Sequence, residues 1–71
     1  MDTSYLEDTL RKHAFIVSQS VAALAEIEAM KAANAMAVDL GHTIPYSADR
    51  FRDVPGEYGI DYNAVVGMFI R

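Results

Sequence analysis

Residues 4–40 read SYLEDTLRKHAFIVSQSVAALAEIEAMKAANAMAVDL and contain neither proline nor glycine. The stretch is rich in Ala, Leu, Glu, Met and Lys, which are strong helix formers. It predicts one helix, which at about 1.5 Å per residue would be about 55 Å long. A compact chain of 71 residues has a diameter of about 30 Å. The helix would therefore extend beyond any core that the rest of the chain could form.

Local signals predict where this helix begins and ends. Ser4 with Glu7 three residues later has the spacing of a capping box, and the two residues before Ser4 are alternative caps. Gly41 marks the C-terminal end, because glycine readily adopts the left-handed conformation found there. An unbroken helix is preferred over a helix bent at 18–20, where serine hydroxyls compete for backbone hydrogen bonds.

Two short helices are predicted after a loop. Ser47 can cap a helix over residues 48–54, which Pro55 and Gly56 would end. Asp61 can cap a last helix over residues 61–71. The sequence therefore predicts a single all-α domain over residues 1–71, with a long helix over about 4–40 and two short ones.

The apolar face of the long helix changes along its length. The first half carries a stripe at spacings of three and four, the pattern of an amphipathic helix: Leu6, Leu10, Ala14, Val17, Val21 and Leu24. Continued at the same spacing, the stripe reaches Glu28, Lys31 and Asp39. The two halves are therefore expected to have different neighbours, with the short helices covering one half and a second chain covering the other.

A row of small and flexible side chains in the second half is the predicted self-association surface. Small residues allow two helix backbones to approach closely, and methionine fills irregular gaps. The alternative is that alanine, the best helix former, simply faces solvent here. The residues predicted to pair two chains into a homodimer are Ala22, Ala25, Ala29, Met30, Ala33, Met36 and Ala37.

Composition limits the classes of function. The chain has no cysteine, which excludes disulfides, and two histidines 29 positions apart, which give no metal-ligand spacing. A net charge of −4 disfavours binding to nucleic acid. No uncharged run approaches the length of a membrane span, and no secretory signal pattern begins the chain. The expectation is a cytoplasmic protein without metal or cofactor.

The residue pattern gives little support for catalysis or for DNA binding. No nucleophile, histidine and acid occur at a recognisable spacing, so the chain is not expected to be an enzyme. The two short helices could form a helix–turn–helix, but a recognition helix needs side chains that read base edges. The last helix offers only Asn63 and Arg71 for that purpose. A small DNA-binding regulator remains an alternative function.

The loops after the long helix combine tyrosines with acidic residues. Tyrosine is amphipathic and is enriched at the energetic centres of protein interfaces. These residues are the predicted binding surface for a foreign protein: Tyr46, Glu57, Tyr58, Asp61 and Tyr62. The neighbouring Phe51 is expected to fill the core instead.

Residues 26–34 (EIEAMKAAN), 44–46 (IPY), Phe51 and 61–65 (DYNAV) resemble small uncharacterised accessory proteins of tailed bacteriophages. The resemblance covers about the C-terminal two-thirds of the chain and carries no functional residue with it. Such proteins often bind and block a host protein, anti-CRISPR and other anti-defence proteins being typical. The resemblance implies a stoichiometric inhibitor of a host defence complex, with a structural or assembly component of a phage particle as the alternative.

Overall fold

The computed structural model describes residues 3–69, which are 81% helical and contain no strand. The predicted all-α fold is confirmed. Helix α1 spans Ser4–Asp39 without interruption, α2 spans Ala48–Glu57 and α3 spans Tyr62–Phe69. The Cα atoms extend over 63 × 17 × 9 Å. The long helix therefore sets the length of the molecule, and the bend considered at 18–20 is not present.

Both longer helices end in the same hydrogen-bonded motif around a glycine. At the end of α1 the His42 N–H donates to the Ala37 carbonyl at 2.8 Å, and the Gly41 N–H donates to Val38 at 3.0 Å. Gly41 has a φ of 72°, the left-handed conformation that glycine adopts without strain. These two bonds define a Schellman motif. The predicted glycine stop is thereby confirmed.

The N-terminal cap of α1 is one of the three predicted candidates, but not the one with the capping-box spacing. Ser4 is the first helical residue, and Thr3 occupies the cap position. The Thr3 backbone carbonyl accepts from the Glu7 N–H at 3.0 Å, and the Thr3 hydroxyl donates to the Glu7 carboxylate at 3.4 Å. The cap is therefore one of the two alternatives, shifted by one residue from the capping box.

Helix α2 is three residues longer than predicted, because Pro55 lies inside it. Proline lacks an N–H and usually ends a helix, but α2 continues to a second Schellman motif. There the Ile60 N–H donates to the Pro55 carbonyl at 2.9 Å and Gly59, with a φ of 70°, takes the left-handed position. The expectation that Pro55 and Gly56 end the helix is wrong.

The predicted caps of the two short helices are confirmed. The Ser47 hydroxyl accepts from the Arg50 N–H at 3.4 Å, and the Asp61 carboxylate accepts from the Ala64 N–H at 3.2 Å. The predicted C-terminal end of α3 at Arg71 lies outside the described residues.

A single face of α1, here called the inner face, receives α2, α3 and the loop between α1 and α2. Its members recur at spacings of three and four, and all are buried or half-buried: Lys12, Ile16, Gln19, Ala23, Ile27, Met30, Asn34 and Ala37. At their centre, Ala23, Met30 and the fully buried Val54 of α2 form the core, with Phe51 packed against it as predicted. The loop and the short helices therefore lie along both halves of α1 and leave the apolar stripe of the first half exposed, so the expectation that they cover one half is wrong.

Candidate functional site

The apolar stripe of the first half of α1, here called the outer stripe, faces away from the inner face. At about 100° per residue the centre of the stripe lies about 140° around the helix from the centre of the inner face. Its five large side chains are half or more exposed: Leu6 57%, Leu10 59%, Val17 50%, Val21 65% and Leu24 59%. Contiguous apolar patches on soluble chains mark contact surfaces more often than scattered apolar residues do.

Burial of the outer stripe in an interface is energetically favourable. Full burial of a valine or leucine side chain contributes about 1.5–3 kcal/mol, so covering the exposed half of each contributes on the order of 1 kcal/mol. No charged residue occurs between Lys12 and Glu26, so the middle of the stripe carries no formal charge to desolvate. The stripe is therefore the strongest candidate contact surface in the described part of the chain.

The structure divides the predicted self-association residues between two environments. Met30 and Ala37, 2% and 9% exposed, lie on the inner face, where the chain's own loop and short helices cover them. Ala25, Ala29 and Met36 are exposed. The remaining two, Ala22 and Ala33, are half-buried. Pairing of two chains through the exposed members stays a prediction.

The predicted partner-binding residues are likewise divided. Tyr62 is 81% exposed at the start of α3. The neighbouring Asp61 is exposed while its carboxylate caps the helix. Because the cap is made by one carboxylate oxygen, the side chain still presents negative charge to solvent. These two residues form the part of the predicted surface that is most open to a partner.

Glu57 and Tyr58 take part in a polar network that fastens α2 to α1. The Arg50 guanidinium donates to Glu57 at 3.0 Å and to Glu26 of α1 at 3.4 Å. A hydrogen bond from the Tyr58 hydroxyl to the Glu26 carboxylate, followed by desolvation, raises the pKa of Tyr58 above its ordinary value. Tyr58 is half-buried and packs against the core. Within the chain both residues therefore have a structural role.

Tyr46 is held by Asn34, a residue that the sequence pattern did not single out. The Asn34 amide donates to the Tyr46 carbonyl at 2.9 Å, and its oxygen accepts from the Tyr46 N–H at 3.1 Å. The loop after α1 is thereby fixed on the inner face, with the Tyr46 ring packed against the core. The signal that could have found Asn34 is its position in the three–four spacing that continues through Met30 and Ala37.

Two further polar residues of the inner face bind helix ends in the same way. The Gln19 amide donates to the carbonyl of Tyr58, the C-cap of α2, at 3.0 Å. Lys12 donates to the Met68 carbonyl of α3 and forms an ion pair with Asp8 at 2.9 Å. Carbonyls near a helix C-terminus lack partners within the helix. These side chains supply such partners, which explains why a packing face tolerates them.

Replacing Tyr58 with phenylalanine should change how stability depends on pH. The raised pKa means that the unfolded state, with a tyrosine pKa of about 10, loses its proton before the folded state does. The stability from this hydrogen bond is therefore fully present below about pH 10 and is lost as pH rises through the folded pKa. Tyr58→Phe should lower the urea midpoint at neutral pH. Its midpoint should then fall less steeply between about pH 9 and 11 than the wild-type midpoint does.

Tyr5→Phe is the matched control for that experiment, since Tyr5 is 83% exposed. It should retain both the neutral-pH midpoint and the alkaline decline of the wild type. An alkaline decline in Tyr58→Phe that equals the wild-type decline would show that another group is responsible.

Most cations of the described residues already have acidic neighbours. Residues 3–69 contain five of the six Lys and Arg residues, Arg71 being the other. Four of the five lie within 4.0 Å of a carboxylate: Lys12, Lys31, Arg50 and Arg52. Phosphate binding would compete with these pairs.

Neither a metal cluster nor a membrane-spanning helix is found in the described part of the chain. Among residues 3–69, no group of three or more His, Asp or Glu side chains is arranged to hold a metal ion. None of the helices described is both long and apolar enough to cross a bilayer. No family model, curated protein or solved structure matches the chain. The interaction surfaces themselves are therefore the basis for a functional proposal.

Proposed function

We propose that this chain is a protein-binding protein that acts stoichiometrically, by covering a surface of its partner. The single observation that carries the proposal is the outer stripe, whose five large aliphatic side chains are 50–65% exposed along an unbroken helix. The short helices described here pack on another face of α1, so within residues 3–69 the stripe remains open to a partner.

A second surface, the α3 start, consists of Asp61 and Tyr62 and is suited to a foreign protein. Tyr62 is 81% exposed, and an exposed tyrosine can bury a large amphipathic surface at little entropic cost. The net charge of −4 and the pairing of most described cations leave an acidic exterior. Electrostatic complementarity then favours a partner whose contact face is basic.

The resemblance to phage accessory proteins gives the proposal its concrete form. We propose that the partner is a host protein in the bacterial cytoplasm, such as a CRISPR or other defence complex. Effectors that bind nucleic acid carry extended basic surfaces. An acidic helical protein could occupy such a surface in place of the nucleic acid, which would make the inhibition stoichiometric and sensitive to salt.

The test is a phage challenge in bacteria that carry an active CRISPR system directed against that phage. Expression of the chain should restore plaque formation, and the purified defence complex should bind the purified chain. Tyr62→Ala should raise the dissociation constant of that complex about 30-fold, the cost typical of a central interface tyrosine. The binding should also weaken with added salt.

Tyr5→Ala is the matched control, because Tyr5 is as exposed as Tyr62 but lies at the opposite end of the sequence. Its dissociation constant should stay within about twofold of wild type, as for most peripheral residues. Unchanged plaque formation across a panel of defence systems would contradict the inhibitor proposal. Recovery of the chain in purified phage particles would instead support the assembly role.

A further inference from the structure

We propose that the outer stripe binds a second copy of this chain, with the two α1 helices antiparallel and centred near Gln19. It rests on the proposed function, because it gives the exposed stripe one occupant, a second copy of the chain, and leaves the α3 start for a host partner. It differs from pairing through the exposed alanine–methionine row, which consists of Ala25, Ala29 and Met36, since it assigns the contact to the larger aliphatic side chains of the first half of α1.

The spacing of the outer stripe is that of a two-helix seam. Leu10, Val17 and Leu24 are seven residues apart, as are Ala14 and Val21. This is the a/d pattern of helices that pack along their length. The five positions span about two heptads of an unbroken helix, and the stripe lies opposite the face that carries α2 and α3. Two long helices can therefore meet while the short helices of each chain remain on the outside.

The order of charges beside the stripe selects the second copy and its direction. Along residues 4–34 of α1, the part that would overlap, the exposed charged residues are, in order, Glu7, Arg11, Glu28 and Lys31. A parallel pair in register would place each of these beside its own copy, so that like charges meet at all four positions. In an antiparallel pair centred at position 19, Glu7 lies opposite Lys31, both being 12 residues from the centre. Arg11 likewise lies within one residue of the position opposite Glu28.

The central apolar positions match under the same arrangement, whereas Leu10, nine residues from the centre, lies opposite a glutamate. Val17 lies opposite Val21, each two residues from the centre, and Ala14 lies opposite Leu24, each five residues away. The small Ala14 then faces the large Leu24, a pairing that lets packed helices interdigitate. Charge and shape therefore favour the same register, which is the self-complementarity that a twofold interface requires.

The surface area that the two helices would bury indicates a dimer that dissociates on dilution. Residues 4–34 of the two helices would overlap over about 45 Å, and a helix about 10 Å wide presents a strip on the order of 450 Å² over that length. A standard interface buries about 800 Å² per partner. The pairing is therefore expected to be reversible, with a dissociation constant in the micromolar range.

Light scattering across a dilution series tests the pairing. The wild-type chain should have a mass of twice 7.8 kDa at high concentration, falling towards 7.8 kDa on dilution. Val17→Glu places two like charges at the centre of the seam and should raise the dimer dissociation constant more than about 100-fold. Circular dichroism should show that its helices remain, since Val17 is 50% exposed in the single chain.

Two further substitutions distinguish the outer stripe from other faces. Val38→Glu introduces the same change at a valine that is 64% exposed elsewhere on α1, and it should stay dimeric. Ala29→Glu lies on the alanine–methionine row and should also stay dimeric. Loss of the dimer in Ala29→Glu but not in Val17→Glu would overturn the proposal, as would a wild-type monomer at every concentration. A monomer would leave the stripe for a different protein.

Disulfide trapping tests the direction, because the chain has no cysteine of its own. Under mild oxidation, a mixture of Glu7→Cys and Lys31→Cys chains should form the mixed disulfide, since a disulfide needs Cα atoms about 4.4–6.8 Å apart. Glu7→Cys alone should remain uncrosslinked. Efficient crosslinking of Glu7→Cys to itself, without the mixed product, would indicate a parallel pair and overturn the antiparallel assignment.

Discussion

Val54→Asp should unfold this chain or leave α2 detached from α1. The Val54 side chain is 0% exposed and lies at the centre of the core with Ala23 and Met30. Burying an unpaired carboxylate costs several kcal/mol, whereas a chain of this length has a total stability of about 4–10 kcal/mol. Circular dichroism should show a large loss of helix at neutral pH and no cooperative urea transition.

Val38→Asp provides the comparison for this substitution. Val38 is 64% exposed near the end of α1, so the new charge stays in water. A negative charge near a helix C-terminus interacts unfavourably with the helix dipole, at a cost of about 0.3–1 kcal/mol. Its unfolding transition should therefore remain cooperative. Equal urea midpoints for the two variants would mean that Val54 is not buried in the folded protein.

The element boundaries could be predicted from the sequence because they depend on neighbouring residues. Gly41 stops α1, while Ser47 and Asp61 cap the helices that follow them, and each acts within a few residues of its own position. Pro55 is the exception. Its local tendency to end a helix is outweighed by what surrounds it, since Val54 is held in the core and Ile60 packs against that core after the Schellman turn. Such contacts are not visible in the local pattern.

The face of α1 that packs within the chain could not be predicted from apolar periodicity. The inner face includes Lys12, Gln19 and Asn34, whereas the outer stripe is the more hydrophobic of the two. The polar members are tolerated because each binds a backbone carbonyl of an element that packs there. A hydrogen-bonded polar group costs little to bury. Apolar periodicity alone would place these polar positions in solvent and the stripe in the core.

This division of faces explains how a chain with so small a core can have a defined fold and a free contact surface. On the inner face, a few large residues and directed hydrogen bonds fix the loop and the short helices. On the outer stripe, aliphatic side chains at regular spacing have no such partners among residues 3–69. The more hydrophobic face is thereby left for intermolecular contact, and the α3 start, with Asp61 and Tyr62, lies on a separate element.

Met30→Ala should have the second largest effect on stability. Met30 is 2% exposed, and its side chain lies in the core cluster with Ala23 and Val54. Truncating a buried methionine removes its burial energy and leaves a cavity, at a cost of about 2–5 kcal/mol. With a urea dependence of about 1 kcal/mol per molar for a small domain, the midpoint should fall by about 2 M or more.

Met36→Ala is the same chemical change on the same helix, but Met36 is 65% exposed. Its urea midpoint should shift by less than about 0.5 M, since exposed substitutions rarely change the free energy of unfolding by more than about 0.5 kcal/mol. Both substitutions change helix propensity equally. The difference between their urea midpoints therefore measures the packing of Met30 on the inner face. A larger loss for Met36→Ala would mean that the alanine–methionine row, and not the inner face, carries the main packing of α1.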